Sequence, residues 1–188
     1  MTDALVELRD RMVARCALII ERHENPIALP NIVPDHLARY VDPIIASWKA
    51  SAPPWRVPDV EGCSADQIRE IEHAQGVVVP DVYREFLELM GRSAADLDVG
   101  TAWLHPDVVD LKQSAVELLA EWQNPFALRP GALVVAMHQG YQFTWLDAND
   151  GPDPAVWHWV ENRPEPTQPE HSGWIEYLLR QESYLSHP

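Results

Sequence analysis

Histidine is the side chain best suited to ligate a metal or move a proton near neutral pH, and this chain carries eight. Spacing decides whether they can act together. No His-Glu-x-x-His, no Cys-x-x-Cys and no helical His pair at i, i+4 occurs. His138 and His158 are the pair that strand pairing could bring together. A metal or hydrolytic site would need them to converge with acids; the alternative is two histidines at strand ends or facing solvent. Asp147-Ala148-Asn149-Asp150-Gly151 has the acids of a calcium loop, but its Gly comes one position early and no Glu follows at the required distance, so it reads as a turn. Gly62-Cys63-Ser64-Ala65 lacks the second Gly of a nucleophile elbow, and no glycine-rich phosphate loop is present. The carboxylate pairs Glu70/Glu72 and Asp107/Asp110 fall on helix surfaces, where solvated charge is the default. Cys16 and Cys63 stand apart without metal-ligand spacing. These residues predict a non-enzymatic protein with no metal and no cofactor.

The aromatic residues point elsewhere. Trp145, Trp157 and Trp159, with Tyr141 and Phe143, crowd onto two adjoining strand-like stretches. Alternation puts Trp157 and Trp159 on one face and Val156, His158 and Val160 on the other. Two arrangements are open: helices cover both faces, or one Trp cluster is exposed, bordered by acids. In the second, Trp145, Asp147, Asp150, Asp153, Trp157 and Trp159 form a partner-binding surface, because Trp dominates interface energetics and acids steer a basic partner.

Charge supports a basic partner and excludes others. The net charge of the 188 residues is −15. Residues 1–60 hold eight acidic and seven basic side chains, residues 61–188 the other 21 acidic and seven basic ones. Such a field disfavours nucleic acid, whose phosphates need Lys and Arg. It attracts a cationic protein, or serves solubility alone. No apolar run approaches the roughly 20 residues of a membrane span. The Met-Thr-Asp start with mixed charges is unlike a signal peptide, so a cytoplasmic, reduced location is expected.

The elements that must position these residues follow from periodicity. Residues 3–24 predict an amphipathic helix with Leu5, Leu8, Met12, Cys16, Ile19 and Ile20 on one face. A second helical pattern follows Pro34, and Pro53 to Pro58 predicts an extended boundary. Ser64 and Gln67 form a capping box ahead of a helix with Ile68, Ile71 and Gln75 on one face, and Gly76 ends it. Pro80 suits the first turn of the next helix, whose stripe is Val82, Tyr83, Phe86, Leu87 and Met90. Ser93 to Thr101 reads as loop and Trp103-Leu104 as a short strand. Pro106 opens a helix with the seam Val108, Leu111, Ala115, Leu118 and Trp122. Then come three strands, 132–137, 141–146 and 156–160, joined by turns as an antiparallel meander. Residues 161–171 read as a proline-rich mobile loop, and Ser172 caps a last helix with Trp174, Ile175, Leu178 and Leu179 inward.

The helical pair resembles the opening of the SUKH superfamily through Ser64, Gln67, Ile68, Ile71, Glu72, Pro80, Tyr83, Phe86, Leu87 and Gly91, departing at Val79 and Arg92. The meander is similar to the sheet of that family through Val134, Val135, Gly140, Phe143, Leu146, Asp147, Gly151, Pro152 and Val156. The resemblance spans roughly residues 60 to 183. It implies an α+β fold with an antiparallel sheet of about four strands flanked by helices. In that reading residues 1–60 are an N-terminal helical extension and residues 61–188 the SUKH-like domain. It further implies a protein-binding role: an immunity protein neutralising a basic, nuclease-like toxin domain, or a regulatory or scaffold protein of the Smi/Knr type.

Overall fold

The computed structural model describes residues 2–24, 59–95, 97, 100–163 and 166–185. The helical pattern after Pro34 and the connection from Pro53 to Pro58 lie outside them. Helix α1 covers Asp3–Glu24, the stretch its periodicity marks. Two strands and two helices follow: β1 (Val60–Glu61), α2 (Ala65–Gln75), α3 (Asp81–Met90) and β2 (Ser93–Ala94).

Local chemistry places α2. The Ser64 hydroxyl accepts from the Gln67 N–H at 3.3 Å, and Gln67 Oε1 accepts from the Ser64 N–H at 2.9 Å. Gly76, at φ 68°, closes the helix and donates its N–H to the Glu72 carbonyl. The Glu72 carboxylate reaches forward, taking the Val79 N–H at 3.0 Å and pairing with Arg84 of α3. That bridge carries the chain through Val77–Val79 into α3. Pro80 stands immediately before the helix rather than in its first turn. Tyr83, Phe86, Leu87 and Met90 are fully buried, with Val82 at the margin of the core.

The main sheet is antiparallel, in the order β3 (Thr101–Ala102), β4 (Ala132–His138), β5 (Gln142–Asp147), β6 (Val156–Val160) and β7 (Thr167–His171). The four strands from β4 to β7 match the expected sheet, and the two-residue β3 adds an edge to it. Residues 132 to 136 are buried on both faces, as their unbroken apolar run predicts. Helix α4 (Leu111–Glu121) packs along β4 behind a 3-10 turn at Asp107–Asp110. Helix α5 (Trp174–Leu185) lies over the face that carries His158 and His171, whose rings stand 5.9 and 5.8 Å from Tyr177. The fold is α+β.

Several local expectations are corrected. Ser93-Ala94 is a strand paired with Val60-Glu61. The strand near Trp103 lies one turn of pleat earlier, at Thr101–Ala102, and the Trp103 ring enters the core against Phe86 at 5.3 Å. Trp122 leaves the α4 seam: it follows the last helical residue and is 44% exposed, and Leu119 is buried instead. Part of the stretch read as a mobile loop is β7, because Val156 and His158 offer it an unpaired edge. Ser172 donates to the Glu176 carboxylate rather than accepting from the helix, and another residue caps α5.

Helix α1 is a layer on this domain. Leu5, Leu8 and Met12 are buried in the same core as α3 and the sheet. Thr2 donates its N–H and hydroxyl to Glu85 of α3 at 2.6 and 2.7 Å, and Arg11 makes a fork to Glu182 of α5 at 2.6 and 2.9 Å.

Candidate functional site

Strand register decides which aromatic residues meet. Trp145 stands opposite Trp157 and Phe143 opposite Trp159, so all four rings share one face of β5 and β6. Trp145 and Trp157 stack at 6.0 Å, Phe143 and Trp159 at 5.3 Å. The segment after α4 crosses this face. Asn124 Nδ2 donates to the Arg163 carbonyl, its Oδ1 accepts from the Phe126 N–H, and the Phe126 ring settles 5.5 Å from Trp145.

What remains uncovered is a groove of about 60 Å³ lined by Phe126, Arg129, Trp145, Asp147, Trp157 and Pro166. At roughly 10–15 Å³ per water-sized probe, it has room for a side-chain head. Its aromatic walls meet one acid. Asp147 is only 7% exposed. Its Oδ1 accepts from the Asn149 N–H and Nδ2, both at 3.1 Å, which fixes the plane of the carboxylate. Its Oδ2 lies 3.6 Å from an Arg129 guanidinium nitrogen, beyond hydrogen-bond length. Gly131 permits this clasp, since a Cβ there would sit 2.0 Å from Asn149 Nδ2 and 2.7 Å from Asp147 Oδ1.

The six sequence-predicted residues therefore separate. Trp145, Asp147 and Trp157 come together in the groove. Asp150 is exposed on the adjoining turn, its N–H donated to the Asp147 carbonyl. Trp159 is fully buried and belongs to the core. Asp153 caps α5: its Oδ1 accepts the Trp174 N–H at 2.8 Å, and Gly173 leaves room for the carboxylate. Phe126, Arg129 and Pro166 are groove residues that sequence reasoning missed. They lie past the end of α4, in a turn and in a supposed loop, where no periodicity marks a side chain as facing anything.

The opposite face carries the histidines. Thr101, His138, Gln142, Thr144, His158 and Tyr177 line a separate pocket of about 160 Å³. The register does gather His138 and His158, but hydroxyls meet them: Thr101 Oγ1 is 2.7 Å from His138 Nδ1, and Thr144 Oγ1 is 2.9 Å from His158 Nδ1. Among the described residues, no group of three or more His, Cys, Asp or Glu is gathered as a ligand set. Burial pushes the Cys63 thiol up to about 11, away from the thiolate a nucleophile requires. No helix among the described residues is long and apolar enough to cross a membrane.

A comparison with curated proteins finds no match. The model of the SMI1 / KNR4 family (SUKH-1) matches residues 62–180, from the turn before α2 into α5. That span holds the capped helix pair, the meander and the groove on the β5–β6 face, and the chain belongs to this family.

Proposed function

We propose that this chain is a non-enzymatic binding protein, an immunity protein that neutralises a basic, nuclease-like toxin domain. The observation that carries the reading is the groove: a stacked Trp145–Trp157 pair beside the nearly buried Asp147, on a segment holding 21 acidic and seven basic side chains. Aromatic walls supply the desolvated anchor of an interface, and the surrounding charge captures a cationic partner from a distance. Asp150, exposed on the adjoining turn, adds to that charge. The test is survival of a host expressing the toxin domain encoded beside this protein, with and without it, followed by direct binding of the two purified chains. Rescue together with binding is expected. Killing despite abundant folded protein, with no measurable affinity for that domain, would end this reading.

The match to the SMI1 / KNR4 family is equally compatible with a second reading, a regulatory or scaffold protein of the Smi/Knr type without a toxin partner. The two separate by salt. Capture of a basic toxin slows steeply as ionic strength rises, because charges beyond about 8–10 Å are screened near physiological salt.

A further inference from the structure

We infer that the groove is an arginine socket, built to take one guanidinium from a partner protein, and that Arg129 of this chain holds the place until the partner arrives. The inference rests on the groove being the partner site and adds which side chain enters it.

Three observations converge. The wall is aromatic: Trp157, half-buried and stacked 19° from the buried Trp145, which Phe126 covers in turn, offers a ring face along which a flat cation can lie. The floor is a single carboxylate, Asp147, with Oδ1 committed to Asn149 and Oδ2 turned to the groove. Its orientation is set before any ligand arrives, which lowers the cost of binding. Finally, a guanidinium is already there. Arg129 approaches Oδ2 at 3.6 Å with 77% of its side chain exposed. That contact is too long for a hydrogen bond and too exposed to be strong. A partner's arginine, arriving with the rest of an interface, would close to a charge-assisted pair at hydrogen-bond length and stack on Trp157. Lysine fits less well: its compact, strongly hydrated ammonium cannot lie flat along a ring or make a fork to the carboxylate.

The probe is N-acetyl-arginine-methylamide, titrated into the full-length protein while the indole N–H signals of its tryptophans are followed by NMR. Saturable shifts at Trp145 and Trp157, in about the millimolar range expected for one cation–π contact and one ion pair, are predicted, with Trp174 unmoved. The citrulline analogue, isosteric but neutral, moves nothing, and the lysine analogue binds at least about threefold more weakly. Arg129→Ala tightens binding about two- to fivefold by removing the competitor. Because Arg129 is exposed, that variant keeps the fold. Asp147→Asn loses binding about tenfold. Equal shifts with citrulline, no saturation, or weaker binding in Arg129→Ala would each overturn the socket. If the probe fails while a toxin domain still binds, the socket is wrong and the immunity reading stands. If the probe binds and no toxin does, the reverse holds.

Discussion

Gln75 holds both backbone groups of Val134: its Oε1 accepts the Val134 N–H at 2.8 Å, and its Nε2 donates to the Val134 carbonyl at 2.9 Å. The same amide nitrogen donates to the Val108 carbonyl at 2.7 Å. β3 pairs only with Met137 and His138, so this side of β4 has no strand at Val134. A side chain from the end of α2 does the work of one, joining helix, sheet and the turn before α4. Substituting Gln75→Leu strands one N–H and two carbonyls in a site that is 2% exposed. The expected loss is about 2–4 kcal/mol, read as a lowered urea midpoint with unchanged slope. A loss below about 0.5 kcal/mol would mean that water replaces the amide.

Asp153 and Gly173 act as one unit at the start of α5. Asp153→Ala removes the acceptor of the Trp174 N–H and is expected to cost about 1 kcal/mol. Gly173→Ala places a Cβ 2.3–2.7 Å from the same carboxylate, displacing it. Thermal unfolding of the single and double variants checks the coupling. The double variant costs less than the sum of the two, since the second change finds the cap already lost.

Trp157 and Trp159 are two residues apart on one strand face and differ in what they do. Trp159→Ala empties a fully buried site and is expected to cost about 3–5 kcal/mol. Trp157→Ala, at the half-buried wall of the groove, costs about 1–2 kcal/mol of stability while removing most of the affinity for a toxin partner. Paired unfolding and binding measurements separate them. Equal stability losses would contradict the assignment.

Two groups give the stability a pH signature at opposite ends. Hydrogen bonds from Thr2, its hydroxyl first, hold the Glu85 carboxyl below its ordinary value of 4.5. A depressed acid stabilises the fold above its unfolded pKa, and the contribution is lost as pH falls from 4.5 through the lowered folded value. The gap between wild type and Glu85→Gln therefore narrows as the solution is acidified below pH 4.5, which urea midpoints would record. Cys63 behaves oppositely. Burial raises its thiol from 9.0 to about 11, so its contribution is whole below pH 9 and falls as pH rises towards 11. Cys63→Ser, without that titration, loses less stability over the same interval.

Association with a basic toxin domain is expected to slow about tenfold or more between 50 and 500 mM salt, while dissociation changes little. Stopped-flow tryptophan fluorescence provides the readout. A rate indifferent to salt would favour the regulatory reading.

The helical pair was legible because its determinants are local. The Ser64–Gln67 box, the left-handed Gly76 and the stripe from Tyr83 to Met90 each operate within a few residues, and the structure reproduces them. The β4–β5–β6 meander was legible for the same reason: short turns join apolar strands. The candidate site was only half so. Alternation places Trp157 and Trp159 on one face, yet nothing in that pattern tells one from the other or says that Trp145 meets Trp157. The difference lies in what packs on each, and Phe126 and Pro166 come from distant segments. Trp122 was misplaced because a helical period says nothing of where the helix ends.

By itself the amino-acid sequence determined the family, the α+β class, the helix boundaries around Gly76 and the acidity of residues 61–188. All depend on composition or on neighbours along the chain. Tertiary structure alone decided that Asp153 is a cap, that Trp159 is core, that β7 exists and that Gln75 stands in for a strand. In each case the partner lies far away in sequence, or a one-residue step in a strand exchanges the inner face for the outer. Until the sheet is assembled, an aspartate near a tryptophan carries no information about whether it faces a helix N–H or a groove.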